Sequence, residues 1–206
     1  GDTNIMDTTS PAAQLPIRIF ITGTNGSGKD EVASWLEEKY GFEVKSVRAF
    51  IKMKAEEHGV DLSTGRSGTG PFAESMCAKE GGDYFVKTLN ENIPESMPAT
   101  IGSLRRMAEV AYAKSLRDDG THRTIIVAVD ADPKIRYDRI IARKSLTDHV
   151  SSLEKFVEEE EIESVGDNPN RMNLKKCMEA SDLVILNEGT LEEFHQTIER
   201  ELVAIL

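Results

Sequence analysis

The tightest constraint in this chain is a join near its start. An apolar, β-branched run, Pro16-Ile17-Arg18-Ile19-Phe20-Ile21-Thr22, passes directly into Gly23-Thr24-Asn25-Gly26-Ser27-Gly28-Lys29, and a helical pattern follows. Nearly continuous apolar runs of that kind suit a strand buried on both faces, as a parallel sheet requires. After the turn, Val32, Ala33, Leu36 and Tyr40 recur at helical spacing, Glu31, Glu37, Glu38 and Lys39 fall outside that stripe, and Gly41 stops it. A strand, a glycine-rich turn and a helix in this order form a cradle for phosphate. Glycines let the backbone curl until successive N–H groups converge on an anion, and the helix start adds partial positive charge. The Gly-x-x-x-x-Gly-Lys pattern then places Lys29 at the β- and γ-phosphates of a nucleotide such as ATP. The expected nucleotide-binding set is Gly23, Asn25, Gly26, Ser27, Gly28, Lys29, Asp30 and Glu31. Where such loops usually carry a hydroxyl for Mg²⁺, this one has Asp30. A carboxylate also suits that ion, which makes Asp30 the candidate metal ligand; the alternative is a helix-start carboxylate of no catalytic consequence.

Downstream, short apolar runs alternate with helical patterns. A strand at Phe42–Val47 precedes a helix from about Arg48 to His58, and the glycine-rich stretch Gly59–Pro71 reads as a loop. Phe72–Ile93 reads as one or two helices broken near Gly81-Gly82. A weak strand at Ala99–Ile101 leads to a helix over Leu104–Leu116, and a clear strand at Arg123–Asp130 leads to a helix begun by Asp132-Pro133. A polar, Glu-rich excursion over about 145–170 precedes a last strand, Leu183–Asn187, and Thr190 with Glu193 forms a capping box for the terminal helix. The alternation predicts one α/β domain over residues 15–206, after a flexible leader at 1–14, with a parallel sheet covered on both faces.

The charge balance, 25 Lys plus Arg against 36 Asp plus Glu, argues against a nucleic-acid surface, which needs clustered cations. No apolar run approaches the ~20 residues that span a membrane. Cys77 and Cys177 stand far apart with no metal or redox motif, so they read as reduced, half-buried apolar residues of a soluble, cytoplasmic protein. Gly65-Arg66-Ser67-Gly68-Thr69-Gly70 follows no strand and reads as a mobile loop rather than a second phosphate loop, and Glu158–Glu161 reads as a solvated helix face.

Four segments in order carry a resemblance: the loop Gly23–Asp30; Ser103-Leu104-Arg105 with Glu109-Val110; Val129-Asp130-Ala131-Asp132-Pro133 with Arg136 and Arg139; and Asp182–Thr190. From about Ile17 to Leu202 the chain resembles nucleoside-monophosphate-kinase-type P-loop proteins. The likeness is to the adenylate-kinase-related and dephospho-coenzyme-A-kinase-like branch, including the kinase-like domains of some deoxycytidylate deaminases. The resemblance implies the P-loop NTP hydrolase fold, with a five-stranded parallel sheet in the order 2-3-1-4-5, an acceptor flap over about 48–93 and a lid over about 144–170. It also implies phosphotransfer from ATP with Mg²⁺ to a nucleoside monophosphate or similar phosphorylated small molecule. Arg136, Arg139 and Arg143 share one helix face by spacing, and of these Arg139 and Arg143 are the expected catalytic arginines beside Lys29. Arg48, Lys52 and Arg105 are the expected acceptor contacts, and the backbone around Asn187 and Gly189 is expected to border the adenine. Departures from the family pattern fall at Gly102, where an acidic strand end is usual, and at Ala49 and Cys77 in the flap. They keep two further readings open: a nucleotide-binding regulatory module without turnover, and a slow NTPase switch worked by a protein partner. The acceptor's identity, the donor base and the oligomeric state stay open at this level.

Overall fold

The structure is a computed structural model that describes residues 14–62, 69–143 and 152–206. The leader, the core of the glycine-rich stretch after Gly59 and the first part of the expected lid therefore lie outside the described residues. Five parallel strands, β1 (Ile17–Gly23), β2 (Glu43–Ser46), β3 (Ala99–Gly102), β4 (Arg123–Asp130) and β5 (Leu183–Leu186), form one sheet in the order β2-β3-β1-β4-β5. This is the order that the resemblance implies. β1 lies in the middle, its Ile19, Phe20 and Ile21 all buried, as its unbroken apolar run requires.

Alternation along the strands sends side chains to two cores. Phe20, Ile101 and Ile126 face one layer, built on α2 (Val47–Glu57), α3 (Thr69–Glu80), α4 (Tyr84–Glu91) and α5 (Met107–Asp118). Ile19, Ile21, Val127 and Val129 face the other, where Val32 and Leu36 of α1 (Lys29–Tyr40) meet the end of the chain at Phe194, Ile198 and Leu202. Both cysteines are fully buried in the first core, and burial pushes the Cys77 thiol up to about 11 and the Cys177 thiol to about 12. They are packing residues, more deeply buried than sequence reading expects.

Two local expectations change. The glycine-rich loop is shorter than Gly59–Pro71, because α3 already starts at Thr69 and takes Pro71 into its first turn, where a missing N–H costs nothing. Tyr40, placed on the core stripe by spacing, is 42% exposed and donates its hydroxyl to Glu199 at 2.6 Å. The remaining α-helices are α6 (Pro133–Ala142), which follows β4, α7 (Leu153–Ile162), α8 (Leu174–Glu179), which leads into β5, and α9 (Leu191–Thr197), which follows it. Among the described residues no helix is long and apolar enough to cross a membrane.

Phe20 sits between Ile101 of β3 and Ile126 of β4 with no exposed surface. Phe20→Ala is expected to lower unfolding free energy by about 3–5 kcal/mol, read as a lower denaturation midpoint at unchanged slope in urea.

Candidate functional site

The site is built at the carboxyl end of β1. Thr24 is fixed by its N–H to Val129 O (3.2 Å) and by its hydroxyl to Asp130 Oδ1 (2.8 Å). Gly23, Gly26 and Gly28 all take positive φ (145°, 82° and 90°). At Gly23 a Cβ would fall 2.3 Å from Val129 O, and at Gly26 it would fall 2.8 Å from Arg136 O, so neither position admits a side chain.

The loop's carbonyls are held from behind. Asn25 O accepts from Arg136 Nη1 (3.1 Å), Gly26 O from Arg139 Nη1 (3.3 Å), and Ser27 O from Arg139 Nη1 (3.4 Å) and Asn187 Nδ2 (2.9 Å). A trans peptide points its N–H opposite its C=O. Tying back the carbonyls of 25, 26 and 27 therefore turns the N–H groups of Gly26, Ser27 and Gly28 to the front. The Ser27 N–H is used within the turn, on Thr24 O (3.2 Å). The amides of Lys29 and Asp30 add to the same concave face, because a helix start has no carbonyls behind it to accept them, while the Glu31 N–H turns back onto Gly28 O (3.0 Å). Ser27 Oγ is buried with no protein partner, as a hydroxyl at the wall of an anion site would be.

Lys29 completes the front. It is only 9% exposed, with Nζ at 3.5 Å from Thr24 O. Burial, foremost, and the neighbouring cations Arg105 and Arg143 bring its pKa down to about 8, against Asp30 and Glu163, which act the other way. Three cations from three elements thus converge: Lys29 from the loop, Arg105 from the β3–α5 connection and Arg143 from the end of α6. Arg105 is set by its backbone, whose N–H donates to Glu109 Oε1 at 2.7 Å. Glu109 is buried, also accepts from Arg106 N (2.9 Å), and burial raises its pKa. Thr22 Oγ1 donates to Leu104 O at 2.7 Å, which pins the same connection against β1.

The other expected site residues fall in different places. Asp30 is exposed in the first turn of α1. Glu31 faces its layer neighbour α9, its Oε2 at 2.5 Å from His195 Nε2, a pairing with no sequence signal. Arg139 spends its guanidinium on the loop carbonyls and on Asn187 O (2.6 Å), so its contacts are with the back of the loop. Asn187 braces Ser27 with its side chain, and Gly189 packs where a Cβ would meet Glu193 Oε1 at 2.4 Å. Arg48 and Lys52 lie one turn apart and exposed on α2, which begins right after Ser46, the β2 residue paired with Gly102. Gly102 itself is pressed on β1, with a Cβ position 3.1 Å from Ile21 Cβ. Sequence reading missed Glu160 and Glu163. Glu160 makes a two-pronged pair with the buried Arg136 (2.7 and 2.8 Å), so the Glu158–Glu161 run is not wholly a solvated face. Asp130, at the end of β4, accepts from Thr24 and from Ala131 N (2.8 Å), which gives it a bracing position beside the loop.

Fold and loop together define the class: the chain has the fold of the P-loop kinases. A shikimate kinase from Bacteroides thetaiotaomicron superposes with a TM-score of 0.54 at 15% identity, covering 92% of this chain and 99% of that one. A gluconokinase from Sinorhizobium meliloti gives 0.54 at 14% identity, covering 93% and 94%. No protein-family model matches the chain. A UPF0200 protein of Saccharolobus islandicus is 30% identical over 189 residues, which cover 88% of this chain and 89% of that protein. The chain belongs to the UPF0200 family. A UPF0200 protein of Pyrococcus horikoshii is 27% identical over 197 residues, covering 91% and 97%. A UPF0200/UPF0201 protein of Archaeoglobus fulgidus is 27% identical over 192 residues, and this chain spans 55% of its length.

The depressed Lys29 pKa has a consequence for stability. The folded value, about 8, lies below the ordinary 10.5 of a free lysine, so between them the unfolded chain binds more protons. Wild-type stability therefore gains a rising component as pH climbs through that window. Lys29→Met, which fills similar space without charge, is expected to be more stable than wild type near pH 7, the gap narrowing from pH 8 upward; denaturant melts across that range measure it.

Proposed function

We propose that this protein is an ATP-dependent phosphotransferase acting on a nucleoside monophosphate or a similar phosphorylated small molecule. The observation that carries the reading is a loop whose carbonyls are tied away from its front, with the buried Lys29 at its end and Arg105 and Arg143 near enough to act on that lysine. In this reading the amides of the loop and of the α1 start, with Lys29, hold the donor's phosphates. Arg143 and Lys29 neutralise charge that spreads over the migrating phosphoryl group, the largest electrostatic demand of such a reaction. Arg105 receives the acceptor's phosphate, and Arg48 and Lys52 approach it from α2. Arg139 supports the loop rather than the reacting group, as its three carbonyl contacts support.

The residues fit Mg²⁺ as phosphotransfer uses it. Among the described residues no three His, Cys, Asp or Glu side chains gather into a metal cluster. Mg²⁺ at phosphates keeps several waters and needs only one or two carboxylates, a role open to the exposed Asp30. When bound, the ion supplies charge neutralisation between β- and γ-phosphates.

One observation favours a second reading. The position at which related kinases often carry an acid is Gly102, where a Cβ would lie 3.1 Å from Ile21 Cβ, a tight fit that a side chain would have to push aside by a few tenths of an ångström. A nucleotide-binding module with little or no turnover, or a slow partner-dependent NTPase, would tolerate that glycine. ADP release from Mg-ATP, with and without ribo- and deoxynucleoside monophosphates and dephospho-coenzyme A, separates the readings. The kinase reading expects acceptor-dependent release that falls about a hundredfold or more in Lys29→Ala. Nucleotide binding with no acceptor-dependent release over that panel would refute it, leaving a switch if hydrolysis is steady and a sensor if it is absent.

A further inference from the structure

The cations at the phosphate loop already have one anion near them, and it comes from α7. Glu160 on α7 and Glu163 just after it are three residues apart and so share a face, yet the two do different things. Glu160 clasps Arg136 at 2.7 and 2.8 Å; that arginine is 2% exposed, is anchored on Ala131 O (2.8 Å), and stacks over Phe156 at 5.3 Å. This end of α7 is an anchor. Glu163 makes one long contact, Oε2 to Arg105 Nη1 at 3.5 Å, with side chains 37% and 33% exposed. It is a weak, solvent-reached pair of the kind that contributes little to stability. Its flanking apolar residues, Ile162 and Val165, are 70% and 71% exposed, so the Glu163 side chain can swing away without uncovering core while its carbonyl stays bonded to Leu174 N (3.2 Å). Arg105, by contrast, is held by its own backbone on buried Glu109 and stays in place if Glu163 leaves.

We propose that Glu163 is an internal competitor for a ligand's phosphate: it pairs with Arg105 beside Lys29 when no anion is bound, and must give way when one arrives. The inference rests on the loop being a polyphosphate site, as proposed above. A carboxylate at this point attracts the arginine that an incoming phosphate needs and repels the phosphate itself. That Glu163 also acts on Lys29, opposite in sign to Arg105 and Arg143, shows that the three cations and this carboxylate share one electrostatic neighbourhood. Binding of phosphate is thereby linked to release of the Glu163 side chain, while Glu160 and Arg136 keep the helix attached to the back of the loop. Glu163 thus sets the threshold of the site: it holds affinity down by competing for Arg105.

The test is calorimetric titration of the full chain with inorganic tripolyphosphate and with ATP, for wild type and for Glu163→Gln, Glu163→Asp and Glu161→Gln. Glu161 is an exposed acid on the same helix, and its substitution changes net charge equally. Glu163→Gln is expected to bind tripolyphosphate about three- to tenfold tighter at low ionic strength, with the gain shrinking at about 0.5 M salt. Glu163→Asp and Glu161→Gln should stay within about twofold of wild type on the same grounds. Weaker or unchanged binding by Glu163→Gln, with or without a lower melting temperature, would make Glu163 structural only and overturn the inference. An equal gain in Glu161→Gln would overturn it too, by assigning the effect to net charge. If wild type binds neither ligand, the polyphosphate site itself fails, a result separate from normal wild-type binding that Glu163→Gln leaves unaltered.

Discussion

The site depends on how the carbonyls of residues 25–27 are restrained. Three of them are gripped from behind by Arg136, Arg139 and Asn187, and peptide planarity converts that grip into an orientation of the amides in front. A loop of glycines alone would lose conformational freedom on binding an anion. Here that loss falls on folding, because cationic and amide donors have already chosen the conformer. The two arginines come one turn apart on α6, and Asn187 from the loop after β5, so the strand order 2-3-1-4-5 is what brings the clamp to the P-loop. Without β4 and β5 next to β1 on that side, the loop would have glycines and no brace.

The opposite side of β1 supplies the front cation. β3 lies directly beside β1, and its continuation through Leu104 and Arg105 is stitched to β1 by the Leu104 N–H on Ile21 O (2.8 Å) and the Thr22 hydroxyl on Leu104 O. Glu109 then satisfies two backbone donors at the start of α5 and fixes where Arg105 emerges. Burial first, and then the neighbouring cations, depress the Lys29 pKa, a cost to its charged form that an anion beside the ammonium would offset. Stability and binding are set against one another at this residue, as is common where a site is preformed.

Much of this was legible in the sequence, for identifiable reasons. The buried run Ile17–Thr22, the glycine spacing and the stripe of α1 each report local geometry, and local geometry is what residue pattern encodes. The five strands followed once the segments were set in order. What escaped is tertiary. Helical spacing put Arg136, Arg139 and Arg143 on one face but could not show that the first two turn to the loop's carbonyls and only Arg143 acts on Lys29 from α6. Four glutamates in a row read as solvated because a charge run carries no sign of its partners, and one of them, Glu160, meets a buried arginine from another helix. Nor could spacing reveal that His195 meets Glu31 or that Gly102 lies close against Ile21.

We propose that the amides in front of the restrained loop form a preorganised polyphosphate cradle. Backbone ¹⁵N–¹H spectra during titration with inorganic pyrophosphate test it most directly. The account predicts saturable, downfield proton shifts concentrated on Gly26, Gly28, Lys29 and Asp30, with the amides of the α9 start and the β2 edge unmoved. Shifts that are absent, or that fall on another surface while the amides of residues 26–30 stay still, would contradict it.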